Sequence, residues 1–147
     1  MLIEGKDNIK AKRSEVWKFL TDAKSISKCT PGVESMEIIE PGKKFKAIGA
    51  LGLGTVKFKF DTTIEWVELK KPDRAKMKMN GTAPGSSIDV GSEIELSDGP
   101  DGSTDLTWKA DVVVVGTIAS LASRLMKPVT AKMTAQFFSC LKKNIEA

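Results

Sequence analysis

The chain has 147 residues, of which 41% are hydrophobic and 29% charged, and its 23 Lys and Arg against 19 Asp and Glu leave a net charge of +4. This length can bury one core without disulfides or a structural metal, and the composition excludes a disordered chain. The basic residues are scattered over Lys43, Lys44, Lys46, Lys57, Lys59, Lys70 and Lys71, as on solvated strand faces. With no tyrosine and no recurring aromatic and basic motif, nucleic acid is not an expected partner.

Residues 1–10 contain no apolar signal stretch and read as a first strand over 2–10, with Ile3, Gly5 and Ile9 among polar residues. Ser14 is the expected N-cap of a helix that places Val16, Phe19 and Leu20 on one face. Thr21-Asp22 caps a second short helix running to about Lys28. Thr30-Pro31-Gly32 then reverses the chain: proline sets the first central angle of the turn and glycine supplies the positive φ of the second.

Strands fill the stretch from Val33 to Val115. Along Thr55–Val67, Val56, Phe58, Phe60, Thr62, Ile64 and Trp66 point one way, while Lys57, Lys59, Asp61, Thr63 and Glu65 point the other. Such alternation marks a sheet with one dry and one wet face. It recurs in Ala75/Met77/Met79, in Ile88/Val90/Ser92/Ile94/Leu96 and in Thr104/Leu106/Trp108/Ala110/Val112/Val114. Turn signals at Pro41-Gly42, Gly52-Leu53-Gly54, Lys71-Pro72-Asp73, Gly81–Gly85 and Asp98–Gly102 make the strands an antiparallel meander. After Gly116 the period changes to that of a helix, with the stripe Ile118, Leu121, Ala122, Leu125, Val129, Met133, Phe137, Leu141 and Ile145. Thr117 is its expected N-cap, and Pro128 is expected to kink it.

The expected fold class is therefore α+β, one domain over residues 1–147. A curved antiparallel meander wraps a long C-terminal helix, and two short helices follow strand 1. One helix covers only part of a curved sheet, so the space between them is either filled by side chains or open to a ligand. The order of elements resembles the helix-grip fold of the START/Bet v 1-like (SRPBCC) superfamily. Within it the chain resembles the family of the carbon monoxide dehydrogenase G-subunit, through Val16-Trp17-Lys18-Phe19-Leu20-x-Asp22, Cys29-Thr30-Pro31-Gly32-Val33-Glu34 and Leu53-Gly54-Thr55-Val56-Lys57-Phe58-Lys59-Phe60. Gly102-Ser103-Thr104-x-Leu106-x-Trp108 and Phe137-Phe138 with Leu141 extend the likeness. The resemblance implies an accessory protein of a molybdenum hydroxylase, recruiting the enzyme to a membrane or handling a lipophilic quinone. Relatives with a long C-terminal extension use it for membrane attachment; this sequence ends at Ala147, so autonomous anchoring is not expected. The expected location is cytoplasmic, with peripheral contact at the inner face of the membrane.

Chemistry is constrained most by what is missing. Without histidine, the Ser-His and Cys-His nucleophiles and most zinc sites are unavailable, so no catalytic residue, metal or cofactor is expected. Gly49-Ala50-Leu51-Gly52-Leu53-Gly54 looks like a dinucleotide loop but falls between two strands, where a hairpin or bulge explains it. Asp61, Glu65, Asp105 and Asp111 occupy the wet face, Glu93 and Glu95 also alternate outward, and cross-strand pairing with lysine is the expected role. Cys29 and Cys140, far apart and outside any C-x-x-C pattern, read as buried free thiols in a reducing compartment. The candidate cavity wall comprises Phe58, Phe60, Thr62, Trp66, Met77, Met79, Ser92 and Trp108 from the strands, with Leu125, Met133 and Phe137 from the helix. Aromatic rings and adaptable methionines suit an apolar or amphipathic small molecule, a quinone or a lipid, and a packed core uses the same residues. Thr62, Ser92 and Thr104 are the inward polar groups that could orient it, and Gly81–Ser87 or the Gly49–Gly54 hairpin could act as a lid. Two further readings stand beside ligand carriage: a ligand-free module that docks an acidic enzyme surface, and a helix-grip cyclase or hydrolase.

Overall fold

The strict alternation along the middle of the chain produces strands long enough to curl, and the apolar face they create must be covered. The computed structural model describes residues 1–53 and 55–146. It contains β1 (Leu2–Ile9), α1 (Arg13–Leu20), α2 (Ala23–Cys29), β2 (Val33–Glu40), β3 (Lys44–Leu53), β4 (Val56–Lys70), β5 (Arg74–Ala83), β6 (Ser86–Asp98), β7 (Thr104–Gly116) and α3 (Ala119–Ile145), with a 3₁₀ turn at Pro100–Gly102. The strands form one seven-stranded antiparallel sheet in the order β1-β7-β6-β5-β4-β3-β2. This is the expected α+β meander, with two short helices after the first strand and a long helix at the end.

Cross-strand register arranges the dry face in rows. One row is Phe45, Ile64, Met79, Val90 and Val112; the next is Trp66, Met77, Ser92 and Ala110. A bulge at Val67 shifts the alternation, so that Val67, which is 60% exposed, and Glu68 both lie on the wet face. At the turn after α2, Gly32 has φ of +86° and its would-be Cβ lies 2.2 Å from the Ala50 carbonyl oxygen, so only glycine fits.

Several local expectations shift. α1 begins at Arg13 behind Lys12, ahead of the expected Ser14 cap, because the chain already turns at Ala11, whose N–H donates to the Ile9 carbonyl. Asp22 does stand at the N-cap of α2, but its carboxylate accepts from the Ser25 hydroxyl at 2.7 Å instead of capping backbone N–H groups. The Thr117 hydroxyl meets that of Ser86 at 3.0 Å, and Ile118 takes the N-cap position of α3. The helix continues without interruption through Pro128, its apolar face held by packing on either side of the lost hydrogen bond. The expected flexible segment Gly81–Ser87 is instead a tight hairpin: β5 and β6 pair up to Ala83 and Ser86, leaving Pro84-Gly85 as the turn. The expected Gly49–Gly54 hairpin is strand through Leu53, and Gly54 lies outside the described residues.

The cysteines correct a larger expectation. Cys29 and Cys140 are joined in a disulfide with Cα atoms 5.4 Å apart, so they are not free thiols. Sequence spacing hides this pairing, because the two are 111 residues apart and meet only once α3 lies along α2. The bridge sits in a buried cluster that includes Ile9, Val16, Leu20, Leu106 and Leu141.

Candidate functional site

α3 packs on the sheet toward both of its ends, and its middle stretch is less deeply buried. Toward the C-terminal end of α3, Leu141 and Phe138 pack with α1, α2 and the β6–β7 strands into the cluster holding the disulfide. Toward its N-terminal end, Ala122 and Met126 pack on Ala110 and Val112 of β7. A third cluster, Phe45, Ala47 and Ile64 with Met77 and Met79 beside it, contains no α3 residue among the described ones. α3 approaches β3 as it does β7, but none of its described residues joins this cluster. Leu121, Leu125, Val129 and Met133 of the apolar stripe are only half-buried, as are Met77, Met79, Val90 and Ser92 on the sheet. Apolar surfaces pressed together would exclude water from both, since interiors are close-packed. Half-burial on both sides therefore means that part of each apolar surface is left uncovered by other side chains.

The expected wall residues separate into two groups. Trp66 is buried in the closed cluster, and Phe137 packs there edge-on against Phe138 with ring centroids 5.5 Å apart. Phe60 is buried and Phe58 half-buried, with ring centroids 6.3 Å apart. Met77 packs against both the closed cluster and the Phe45 cluster and Met79 against the latter, Ser92, Leu125 and Met133 are half-buried, and Trp108 lies between the closed cluster and the β7 cluster. Of the inward polar groups, Thr62 donates to the Ala47 carbonyl at 2.6 Å, and the fully buried Thr104 donates to the Ala11 carbonyl at 2.8 Å. Both are spent on the fold itself. Ser92 makes no side-chain hydrogen bond to any described residue, so it remains the inward hydroxyl available to a ligand.

A groove of about 740 Å³ opens between β1 and α3. Ile3, Gly5, Asp7 and Trp108 form one wall, and Lys127, Thr130, Thr134, Phe138 and Lys142 are among the helix residues of the other. Only Trp108 of this set was expected. The helix residues lie beside the apolar stripe and are mostly small or polar, which removes the hydrophobic signal by which a sequence reveals a buried face. Asp7 was legible in retrospect, since it shares the inward phase of Ile3, Gly5 and Ile9. It pairs with Lys142 at 2.8 Å. Gly5 lies opposite Trp108, whose indole occupies the volume a side chain would need: a Cβ there would sit 2.8 Å from Nε1.

The wet face behaves as a charge network. Glu68 faces Lys70 at 3.2 Å, Lys76 at 3.8 Å and Arg74 at 3.9 Å, while Arg74 also reaches Glu93 and Glu95, each at 3.7 Å. The Lys70 hydrogen bond, joined by the charges of Lys70, Lys76 and Arg74, holds the Glu68 carboxyl below its ordinary value and outweighs desolvation. Its Oε2 is shielded from water and accepts no hydrogen bond from a described residue, resting instead in ion-pair range of Lys76 and Arg74, although the side chain as a whole is 29% exposed. Asp111 pairs with the N-terminal ammonium and Asp105 accepts from Asn8, so the expected lysine partners are replaced there by groups of β1. No helix among the described residues is long and apolar enough to cross a membrane.

The family model described as the carbon monoxide dehydrogenase G-subunit (CoxG) matches residues 5–146. Among solved structures, a conserved protein from Geobacillus kaustophilus is 30% identical with a TM-score of 0.89, the match covering 98% of this chain and 94% of that one. A START superfamily protein from Mycobacterium smegmatis superposes with a TM-score of 0.74 at 10% identity, covering 99% and 97%. ZhuI aromatase/cyclase from Streptomyces sp. R1128 gives 0.68 at 15% identity, covering 99% and 96%. The latter two are similar in fold alone, the START/Bet v 1-like helix-grip. A search of curated proteins finds no match.

Proposed function

The chain belongs to the CoxG family of carbon monoxide dehydrogenase G-subunits, and we propose that it is a non-catalytic binding module for a lipophilic or amphipathic molecule held between the sheet and α3. The observation that carries this reading is the half-burial of facing apolar surfaces, Met77, Met79 and Ser92 on the sheet with Leu125, Val129 and Met133 on the helix. Phe58, Phe60 and Trp108 extend the wall, and Trp66 and Phe137 support it from the closed end. A space lined by thioethers, aromatic rings and one free hydroxyl selects by shape and apolar area more than by hydrogen bonding. Family membership supports an accessory role beside a molybdenum hydroxylase, in recruitment or in quinone handling, at the inner face of a membrane.

Native mass spectrometry after incubation with a lipid and quinone extract tests the reading. The expected result is a retained small-molecule adduct that a Met133→Trp substitution removes. An unliganded protein under all loading conditions would sink it.

A second reading rests on charge. α3 carries Arg124, Lys127, Lys132, Lys142 and Lys143 and no acidic residue, so its charge exceeds the net +4 of the whole chain. Only Lys142 has a carboxylate partner among the described residues. A helix of this kind suits an acidic protein surface, and capture of a partner enzyme that weakens as salt rises would favour it.

A further inference from the structure

The groove between β1 and α3 has a charge arrangement that names the class of molecule it accepts, an inference that rests on the ligand-binding reading above. Lys127 and Lys142 stand fifteen residues apart on α3, about 22 Å along the helix axis. β1 runs beside this span, with Ile3 and Asp7 both lining the groove. The two lysines differ in state. Lys142 is neutralised by Asp7 at 2.8 Å, whereas Lys127 is exposed and has no carboxylate within ion-pair distance among the described residues. Glu4 and Lys6, the other charged residues lining the groove, lie on the outward phase of β1 and oppose each other in sign. One uncompensated positive charge therefore remains, at one end.

Between the two lysines, Ile3, Phe138 and Trp108 give the groove an apolar track, bordered on the helix by the small or polar Thr130, Ala131 and Thr134. The Trp108 indole packs directly over Gly5, in the volume a side chain there would take, and both residues line the groove. Thus the groove offers one unpaired cation with threonine hydroxyls beside it, and an apolar track that ends at an ion pair already satisfied. We propose that it binds a single-headed amphiphile whose anionic head group sits at Lys127 and whose apolar tail runs past Trp108 toward Phe138. The head stays at the solvent edge, where an ammonium and an acid group both keep part of their hydration. The tail takes the buried track, so neither charge is forced out of water.

The test compares two probes of equal chain length, palmitate and hexadecan-1-ol, by equilibrium dialysis of the full chain at concentrations below probe aggregation. Palmitate is expected to bind one-to-one and at least about fivefold more tightly than the alcohol, the scale of a solvent-edge charged contact. Lys127→Gln should remove that preference, and Lys132→Gln, which deletes the same charge outside the groove, should retain it. Ala131→Trp, which fills the groove from an exposed position on the helix, should weaken both probes. Circular dichroism and the melting temperature of each variant establish that it is folded. Equal binding of the two probes, or loss of the preference in Lys132→Gln as well, overturns the anionic-head assignment and leaves the ligand-binding reading standing. Binding that Ala131→Trp does not weaken places the site elsewhere and overturns the groove. If neither probe binds while a quinone or lipid adduct is retained from the extract, only this inference falls; if nothing binds in either experiment, both fall.

Discussion

The two stretches of α3 on either side of Phe137 are built from the same kinds of residue and are packed differently. At the closed end, Leu141 is fully buried and meets Ile9, Val16, Leu20 and Leu106, with the Cys29–Cys140 bridge beside them. Over the sheet, Leu125, Val129 and Met133 are equally apolar and only half-buried. Helical periodicity treats all of them alike, as members of one stripe. The difference comes from what faces them. α1 brings Val16, Trp17, Phe19 and Leu20 and α2 brings Ile26 and Cys29 to the closed end, while no described α3 residue joins the Phe45, Ala47 and Ile64 cluster of the sheet. A grip anchored at one end by two helices and a covalent bond holds its fold without deeply burying the middle of the apolar stripe.

This contrast can be broken most directly by truncation. Leu141→Ala should cost about 3 kcal/mol in urea unfolding, the usual range for a fully buried leucine, whereas Leu125→Ala should cost less than about 1 kcal/mol. Comparable losses at the two sites would mean that the middle stretch is packed, and the ligand-binding reading would go with it. Next in size is the covalent bond. Replacing both cysteines with serine should lower stability by about 2–4 kcal/mol through the long loop it releases. Reductant should destabilise the parent protein and leave the double variant unchanged; a parent insensitive to reductant, with a stability equal to that of the variant, would refute the tether.

Filling the middle stretch should have a smaller effect. Met133→Trp should change stability by less than about 1 kcal/mol, because unfilled space spares it the overpacking cost of a dense core of about 1–3 kcal/mol. A penalty in that larger range, read from the denaturation midpoint, would show that the space is already occupied by side chains. The smallest effect belongs to the outer face. Glu68 has a folded-state pKa below its ordinary value, so its stabilising contribution is present above the ordinary carboxylate range and is lost as pH falls through the lowered value. Unfolding midpoints measured from about pH 6 down to about pH 3 should therefore show the parent losing its advantage over Glu68→Gln in acid. Since this residue touches neither stretch of α3, its pH response should be the same with and without ligand. A ligand-dependent response would connect the two faces of the sheet.

Much of the fold can be read from residue order. Alternation in Phe58–Trp66 and in Thr104–Val114 assigns faces correctly because a strand has only two, and one residue's phase determines its neighbours'. The inward phase of Phe60, Trp66 and Ala110 is legible for the same reason. The helix was harder. Met126 and Phe138 are buried although they lie off the expected stripe, because packing partners at the two ends lie in different directions from the axis and the buried face rotates between them. Thr130 and Thr134 line the groove without any apolar signal, and the state of Lys127 depends on a distant Asp7 having paired with Lys142 instead.

Local patterning, acting through fixed strand and helix periods, was therefore sufficient to determine the meander, its dry face and the long helix that covers it. Family-level likeness was already visible in the Cys29-Thr30-Pro31-Gly32 turn and the strands around it. Only the tertiary structure decided which parts of that dry face are closed, that two cysteines 111 residues apart are joined, and that a groove with one unpaired cation lies along β1. These features depend on how far apart two elements finally lie. That distance is set by sheet curvature and by the helices at one end, which no residue's own periodicity records.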